Sequence, residues 1–267
     1  MSETPTLVSY GVRSGVGVIT LTNAPANAYS YEMMRQLDDV ILKARMDESV
    51  HVLVLTGEGE KFFCAGADIA MLGEVTPAFK YAFCLHANET LNRLEQTPKL
   101  VIGALNGHCV GGGLEVAMAC DIRIARAGRA KVGLPEVHLG VLPGTGGTQR
   151  LARLLGKAKA LELMVGGQNL SLDDANALGL VNQIKEADSA DAFLDDVVAY
   201  AQQFCPPHAA SKAVGLIKRA CQSGMEASFE VGLALERELQ QQLFNSNDAA
   251  EGIRAYNERR KPEFSGR

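Results

Sequence analysis

The sequence holds no tryptophan, and aromatic residues make up only 6% of it. Positive charge is also short: 26 Lys and Arg stand against 31 Asp and Glu, a net charge of -5. Nucleic-acid binding rests on Lys/Arg contacts to phosphate and, for single strands, on aromatic stacking. Neither DNA nor RNA is therefore the expected partner, although a local basic cluster could still hold a small anion. The six cysteines (Cys64, Cys84, Cys109, Cys120, Cys205, Cys221) form no CxxC pair, and their spacings do not suit zinc. Four of them sit in apolar surroundings, which reads as buried thiols in a reducing compartment. No uninterrupted apolar run approaches the length of a membrane span. MSETPTLVSY has no basic or apolar leader region, so no secretory signal and a cytoplasmic location are expected.

Several glycine and nucleophile motifs are also missing. GTGGTQ has Gly144 and Gly146 of a dinucleotide fingerprint, but Gln149 stands where the last glycine belongs. Gly156 and Lys157 suggest a phosphate loop, but Leu151 replaces its first glycine and Ala158 its hydroxyl residue. No GxSxG elbow occurs. The five histidines show no ligand spacing, so no metal is expected; His108 and His138 are of interest only because they flank acids.

What is present is an α/β pattern. The 267 residues are 47% hydrophobic and 21% charged, enough for a sizeable core. Leu7–Tyr10 and Val16–Leu21 read as strands, and Tyr31–Met46 as a helix with Met33, Met34, Leu37, Val40, Ile41 and Ala44 on one face. HVLVLTG is a near-continuous apolar run ended by glycine and Leu100–Leu105 is another, as strands buried on both faces are. DIRIA is a further strand, and Pro77–Glu95 a second long helix. Strands alternating with helices indicate parallel pairing. SLDD at Ser171–Asp174 predicts a helix N-cap and Gly179 a C-cap. Beyond Asp188 the pattern is helical: Asp188–Phe204, Ala209–Gln222, Ala227–Phe244 and Asp248–Arg260. An α/β core over residues 1–200 and a helical region over 201–267 are expected.

Two loops carry the candidate chemistry. NGHCVGGGLEVAMACD (Asn106–Asp121) runs three glycines into a helix bearing one acid, Glu115. A strand, a glycine turn and a helix N-terminus together expose N–H groups to an anion. KFFCAGADIAML (Lys61–Leu72) has Ala65, Gly66 and Ala67 before Asp68, again small residues after a buried strand. One N–H from each loop would make a two-donor hole for a polarised carbonyl, typically worth ~3 kcal/mol per donor. Glu136, in VGLPEVHLGVLPG, is a second acid among apolar residues. Burial raises a carboxyl pKa towards neutrality, so the two glutamates suit acid/base work on a carbonyl compound.

CAGADI, NGxxxGGGxE, GLPE and LGVLPGTGGTQRL, in that order, resemble the crotonase, or enoyl-CoA hydratase/isomerase, superfamily. The similarity runs from about Leu7 to the C-terminus and is strongest across Leu53–Arg150. It implies a spiral of ββα units with a helical C-terminal region that builds trimers, often paired into hexamers. It implies an acyl-CoA substrate and no cofactor beyond the coenzyme A that the substrate carries. By motif position, the N–H groups of Ala67 and Gly112 match the oxyanion hole, and Glu115 and Glu136 match the two glutamates of the hydratases. Coenzyme A contacts are implied at Ala26, Ala28, Ala65, Gly66, Asp68, Ile69 and Gly111. Lys61 could meet a phosphate, and Tyr256 and Arg259 the nucleotide, of the same or a neighbouring subunit. Isomerases usually keep one glutamate, so the pair favours water addition to an enoyl-CoA. Isomerisation, thioester hydrolysis and a non-catalytic CoA- or RNA-binding role are the alternatives. Leu134 and Tyr29 depart from the usual pattern, and the stretch between the glutamates, in ARAGRAK, is about one residue longer than usual. The departures leave the acyl group open, with a pocket expected from Met71–Tyr81, His138–Leu142 and the C-terminal helices.

Overall fold

A computed structural model of the chain describes residues 5–266; residues 1–4 and 267, the ends of the two expected regions, lie outside it. The chain winds through repeated strand–strand–helix turns. The first is β1 (Val8–Arg13), β2 (Val16–Leu21) and α1 (Tyr31–Met46). The second is β3 (Val52–Gly57), β4 (Phe62–Cys64), α2 (Ile69–Glu74) and α3 (Pro77–Glu95). The third is β5 (Leu100–Leu105), β6 (His108–Val110) and α4 (Gly112–Met118). The fourth is β7 (Ile122–Arg126), β8 (Val132–Gly133), a 3-10 turn (Glu136–Leu139), α5 (Gly147–Leu155) and α6 (Lys157–Val165). Then come β9 (Asn169–Leu170), α7 (Leu172–Ala177), β10 (Gln183–Lys185) and the helices α8 (Ala190–Gln202), α9 (Ser211–Met225), α10 (Phe229–Phe244) and α11 (Asn247–Glu258).

In the second, third and fourth turns the two strands go to different sheets. The first strand joins a sheet ordered β1-β2-β3-β5-β7-β10, and the second joins a smaller sheet ordered β4-β6-β8-β9. The large sheet is parallel from β2 to β10, with β1 antiparallel at its edge. Its central strands β3 and β5 are almost entirely apolar because both of their faces are covered. Leu53, Leu55 and Val101 point into the core shared with α1 and α3, whereas Val52, Val54 and Ile102 point to Phe193, Val197 and Ala201 of α8. Helix α1 begins at Ser30, whose Oγ accepts from the Met33 N–H at 3.2 Å, and it buries the apolar face read from its sequence.

The small sheet has the larger consequence for the site. Parallel strands β4, β6 and β8 lie side by side, so the loops leaving them emerge at one end. Asn106 ties together the connections that lead into β4 and β6: its Oδ1 accepts from Gly57 N at 3.1 Å, and its Nδ2 donates to Gly59 O at 2.7 Å and Phe62 O at 3.2 Å. Asn27, with φ 50°, does the same, its Nδ2 donating to the carbonyls of Glu58, Phe62 and Phe63.

The C-terminal helices are anchored at the other end of the large sheet. Lys218 of α9 is buried against Asp121 at 2.9 Å and donates to Lys99 O at 3.0 Å. The Asp248 carboxylate, at the start of α11, accepts from Ser265 N and Oγ and from Gly266 N. Gly266 in turn lies beside Ser211 and His51, just before β3 begins.

Candidate active site

Three chain segments meet beyond the small sheet. Residues 26–29 run beside residues 65–68: Ala65 N donates to Ala26 O at 3.0 Å, Tyr29 N to Gly66 O at 2.8 Å and Asp68 N to Tyr29 O at 3.0 Å. Tyr29 and Ala67 thus form a parallel bridge, a geometry that turns the N–H of Ala67 away from the Tyr29 strand. The third segment is the glycine turn into α4. Gly112 is the first helical residue, so its N–H has no acceptor within the helix. The two loops touch: a methyl on Gly66 would lie 2.9 Å from the nitrogen of Gly112.

The glycine run is demanded by these neighbours. Gly111 has φ 56°, a left-handed conformation that favours glycine. A methyl on Gly112 would lie 2.1 Å from the Tyr29 hydroxyl, and one on Gly113 would lie 2.0 Å from the Cys64 carbonyl oxygen. The space beside these two residues is filled by the protein's own first and second turns.

Glu115 is in the first turn of α4 and only 1% exposed. Its Oε1 accepts from Thr145 N and Gly147 N, both at 2.7 Å. Gly147 opens α5, so the carboxyl caps a second helix N-terminus. Burial pushes the Glu115 pKa up; the hydrogen bonds from Gly147 and Thr145, and the Arg150 charge, pull the other way.

Glu136 reaches the same turn from β8. Val110 pairs with Gly133, and Gly111 N donates to Gly133 O at 2.8 Å, so Glu136, three residues later, is alongside the glycines. Glu136 opens the 3-10 turn, and its Oε1 would be 3.3 Å from a methyl on Gly111. Its Oε2 is buried without a hydrogen-bond partner among the described residues. Burial, aided by the nearby Glu115 charge and opposed by a hydrogen bond from its own backbone, pushes its pKa up to about 7. One carboxyl is thus locked by two N–H groups, and the other is poised between charged and neutral at physiological pH.

The remaining sequence candidates divide. Ala26, Ala28, Ala65, Gly66 and Gly111 belong to the three converging segments. Asp68 is the N-cap of α2, accepting from Ala70 N at 2.9 Å, and Ile69 beside it is exposed. Lys61 is exposed, with its ammonium 5.4 Å from the Phe62 ring, at the edge of a 190 Å³ cavity that also has Arg126 and Arg129. Tyr256, 84% exposed, and Arg259 lie at the far end of α11, whose start is anchored beside β3; no hydrogen bond among the described residues ties either side chain to the converging loops. His108 accepts from Lys131 N at 3.0 Å, a structural bond, and the exposed His138 ring lies against Gly167. Among the described residues no three of His, Cys, Asp and Glu gather as metal ligands would.

Thr145 and Gly147 were not singled out from the sequence. The signal was available, because GTGG before α5 is the same glycine-turn-into-helix pattern that drew attention to Gly111 and Gly112. The loop joining Glu136 to Thr145 carries exposed Leu139, Val141 and Leu142, and it rests on α3 through Asn88, whose Nδ2 donates to Gly144 O at 3.4 Å.

Comparison with known proteins is consistent across most of the chain. Residues 11–267 match the family profile described as enoyl-CoA hydratase/isomerase. A short-chain-enoyl-CoA hydratase from Clostridium acetobutylicum is 38% identical over 93% of each chain. A probable enoyl-CoA hydratase from Bacillus subtilis is 39% identical over 97% of this chain and 98% of its own. The fold superposes on an enoyl-CoA hydratase crystal structure from Geobacillus kaustophilus with a TM-score of 0.94, at 39% identity, covering 99% of this chain and 98% of that one.

Proposed function

This chain belongs to the enoyl-CoA hydratase/isomerase family, and we propose that its two glutamates add water across the 2,3 double bond of an enoyl-CoA thioester. The observation that carries the reading is the convergence of Glu115 and Glu136 on one glycine turn, with Glu136 holding an unpartnered oxygen. An isomerase needs one group to move a proton; water addition uses two, one at the water and one at Cα.

The thioester oxygen would accept from the N–H groups of Ala67 and Gly112. Those donors stabilise the enolate-like charge that develops when the β-carbon is attacked, at ~3 kcal/mol per donor. Glu115, fixed by Thr145 N and Gly147 N, keeps its other oxygen as the acceptor that orients water and takes its proton. The water oxygen bonds to Cβ, the π electrons move to Cα, and the Glu136 carboxylic acid supplies the Cα proton. Addition on one face follows, because both carboxyls work from the same side of the bound chain. Loss of a proton from Glu115 and gain of one by Glu136 restore the starting state. No group beyond the CoA of the substrate is required by this scheme.

Trimers or hexamers are part of the same proposal. Helices α9 to α11 leave Ile217, Met225, Phe229, Phe244 and Ile253 exposed. A neighbouring copy would cover such residues, and it would let Tyr256 and Arg259 serve another subunit's CoA.

The test is product identity. Incubation with a trans-2-enoyl-CoA in ¹⁸O-labelled water should give 3-hydroxyacyl-CoA with label at C3. A migrated double bond with no label, or free CoA, would assign another reaction of the family.

A further inference from the structure

We propose that Tyr29 is a positioning residue that locks Glu115 to the thioester-oxygen donors: its backbone holds the Ala67 loop while its side chain holds the Thr145 loop. The inference rests on the assignment of Glu115 above. Tyr29 N and O bond Gly66 and Asp68, the residues on either side of Ala67. Its ring abuts Gly112, where a methyl would collide with the hydroxyl and ring carbons, and packs edge-on against Phe83 of α3 at 6.1 Å. Its hydroxyl lies 3.1 Å from Thr145 Oγ1, and Thr145 N is one of the two donors to Glu115. One residue therefore touches both proposed oxyanion donors and the cradle of the carboxylate.

The direction of the Tyr29–Thr145 bond follows from the groups available. The titratable or charged groups facing the pair are Glu115, Glu136, Arg150 and the thiols of Cys64 and Cys84. Burial and the neighbouring Glu115 charge hold the phenol pKa well above its ordinary range, so Tyr29 stays a donor. A threonine hydroxyl has one proton and two lone pairs. Thr145 can then accept from Tyr29 and turn its own proton towards Glu115, which its hydroxyl helps to keep ionised. Phenylalanine at position 29 would keep the ring packing and remove only this bond.

The experiment combines kinetics with a titration that does not depend on turnover. Tyr29→Phe, Thr145→Val, the double variant and Glu115→Gln are compared with the parent. The ¹³C carboxyl signal of Glu115, identified by its loss in Glu115→Gln, is followed against pH in the absence of substrate. Tyr29→Phe should lower kcat by roughly three- to tenfold, the worth of one hydrogen bond, with KM within about twofold. It should also move the Glu115 titration and the acid limb of kcat to higher pH. Tyr29→Phe added to Thr145→Val should cost nothing further, and Thr145→Ser should recover most of what Thr145→Val loses. An unmoved Glu115 titration in Tyr29→Phe, or an unchanged kcat and acid limb, would overturn the proposal. Full hydration by Glu115→Gln would instead overturn the assignment of Glu115, whatever Tyr29 does to its titration.

Discussion

Glu136 links residue-scale physics to two pH dependences. Its pKa is raised from the ordinary 4.5 to about 7 by burial and by Glu115, so the folded protein binds its proton more tightly than the unfolded chain. Its stabilising contribution is full below pH 4.5 and is lost as pH rises through about 7. Urea titrations across that window should show stability falling, and Glu136→Gln should flatten the decline. If Glu136 acts as the acid, kcat/KM should also fall above about pH 7. The acids themselves were legible in the sequence, because a lone carboxyl among apolar residues beside a glycine turn is a local pattern. The reason for the glycines was not. Gly112 and Gly113 are small because Tyr29 and Cys64, distant in sequence, occupy the space beside them.

At the scale of elements, the site depends on how α4 docks between the turns. Gly113→Ala places a methyl 2.0 Å from a backbone carbonyl, which cannot rotate away. A loss of about 2 kcal/mol, the usual cost of overpacking, is expected in denaturant unfolding, with reduced turnover. Helix α9 depends on a different contact. Lys218→Ala would leave the half-buried Asp121 carboxyl with the Val101 N–H but without its cation, and losing a hydrogen bond between charged groups typically costs about 2 kcal/mol. Hydrogen exchange should show α9 as the segment most weakened. The long elements were readable: the spans of β2, α1, α3 and β5 agree with their sequence patterns, since each buries a periodic or continuous apolar run. The small sheet was not, because strands of two or three residues are too short to show a period. Yet that sheet brings the loops of Ala67, Gly111 and Glu136 to one end.

At the scale of the whole molecule, a single chain leaves the apolar side chains of α9 to α11 uncovered, and assembly would resolve that. Sedimentation should give three or six chain masses, and Phe229→Asp should reduce the mass; a monomer at all concentrations would contradict the proposed assembly. Arg259→Ala should then raise KM for CoA thioesters more than it lowers kcat. The fold and the family were legible from four ordered motifs, whereas the acyl group depends on the packing around Leu139, Val141, Leu142 and Leu134, which no motif records. Glu115 and Glu136 are proposed to perform the hydration together. The most direct measurement is the hydration rate of one trans-2-enoyl-CoA by the parent, Glu115→Gln and Glu136→Gln, with melting temperature and CoA-ester affinity measured on the same preparations. Each variant should keep its fold and its affinity and lose roughly 10²- to 10⁴-fold in kcat; a folded variant of either glutamate that hydrates at the parental rate would contradict the claim.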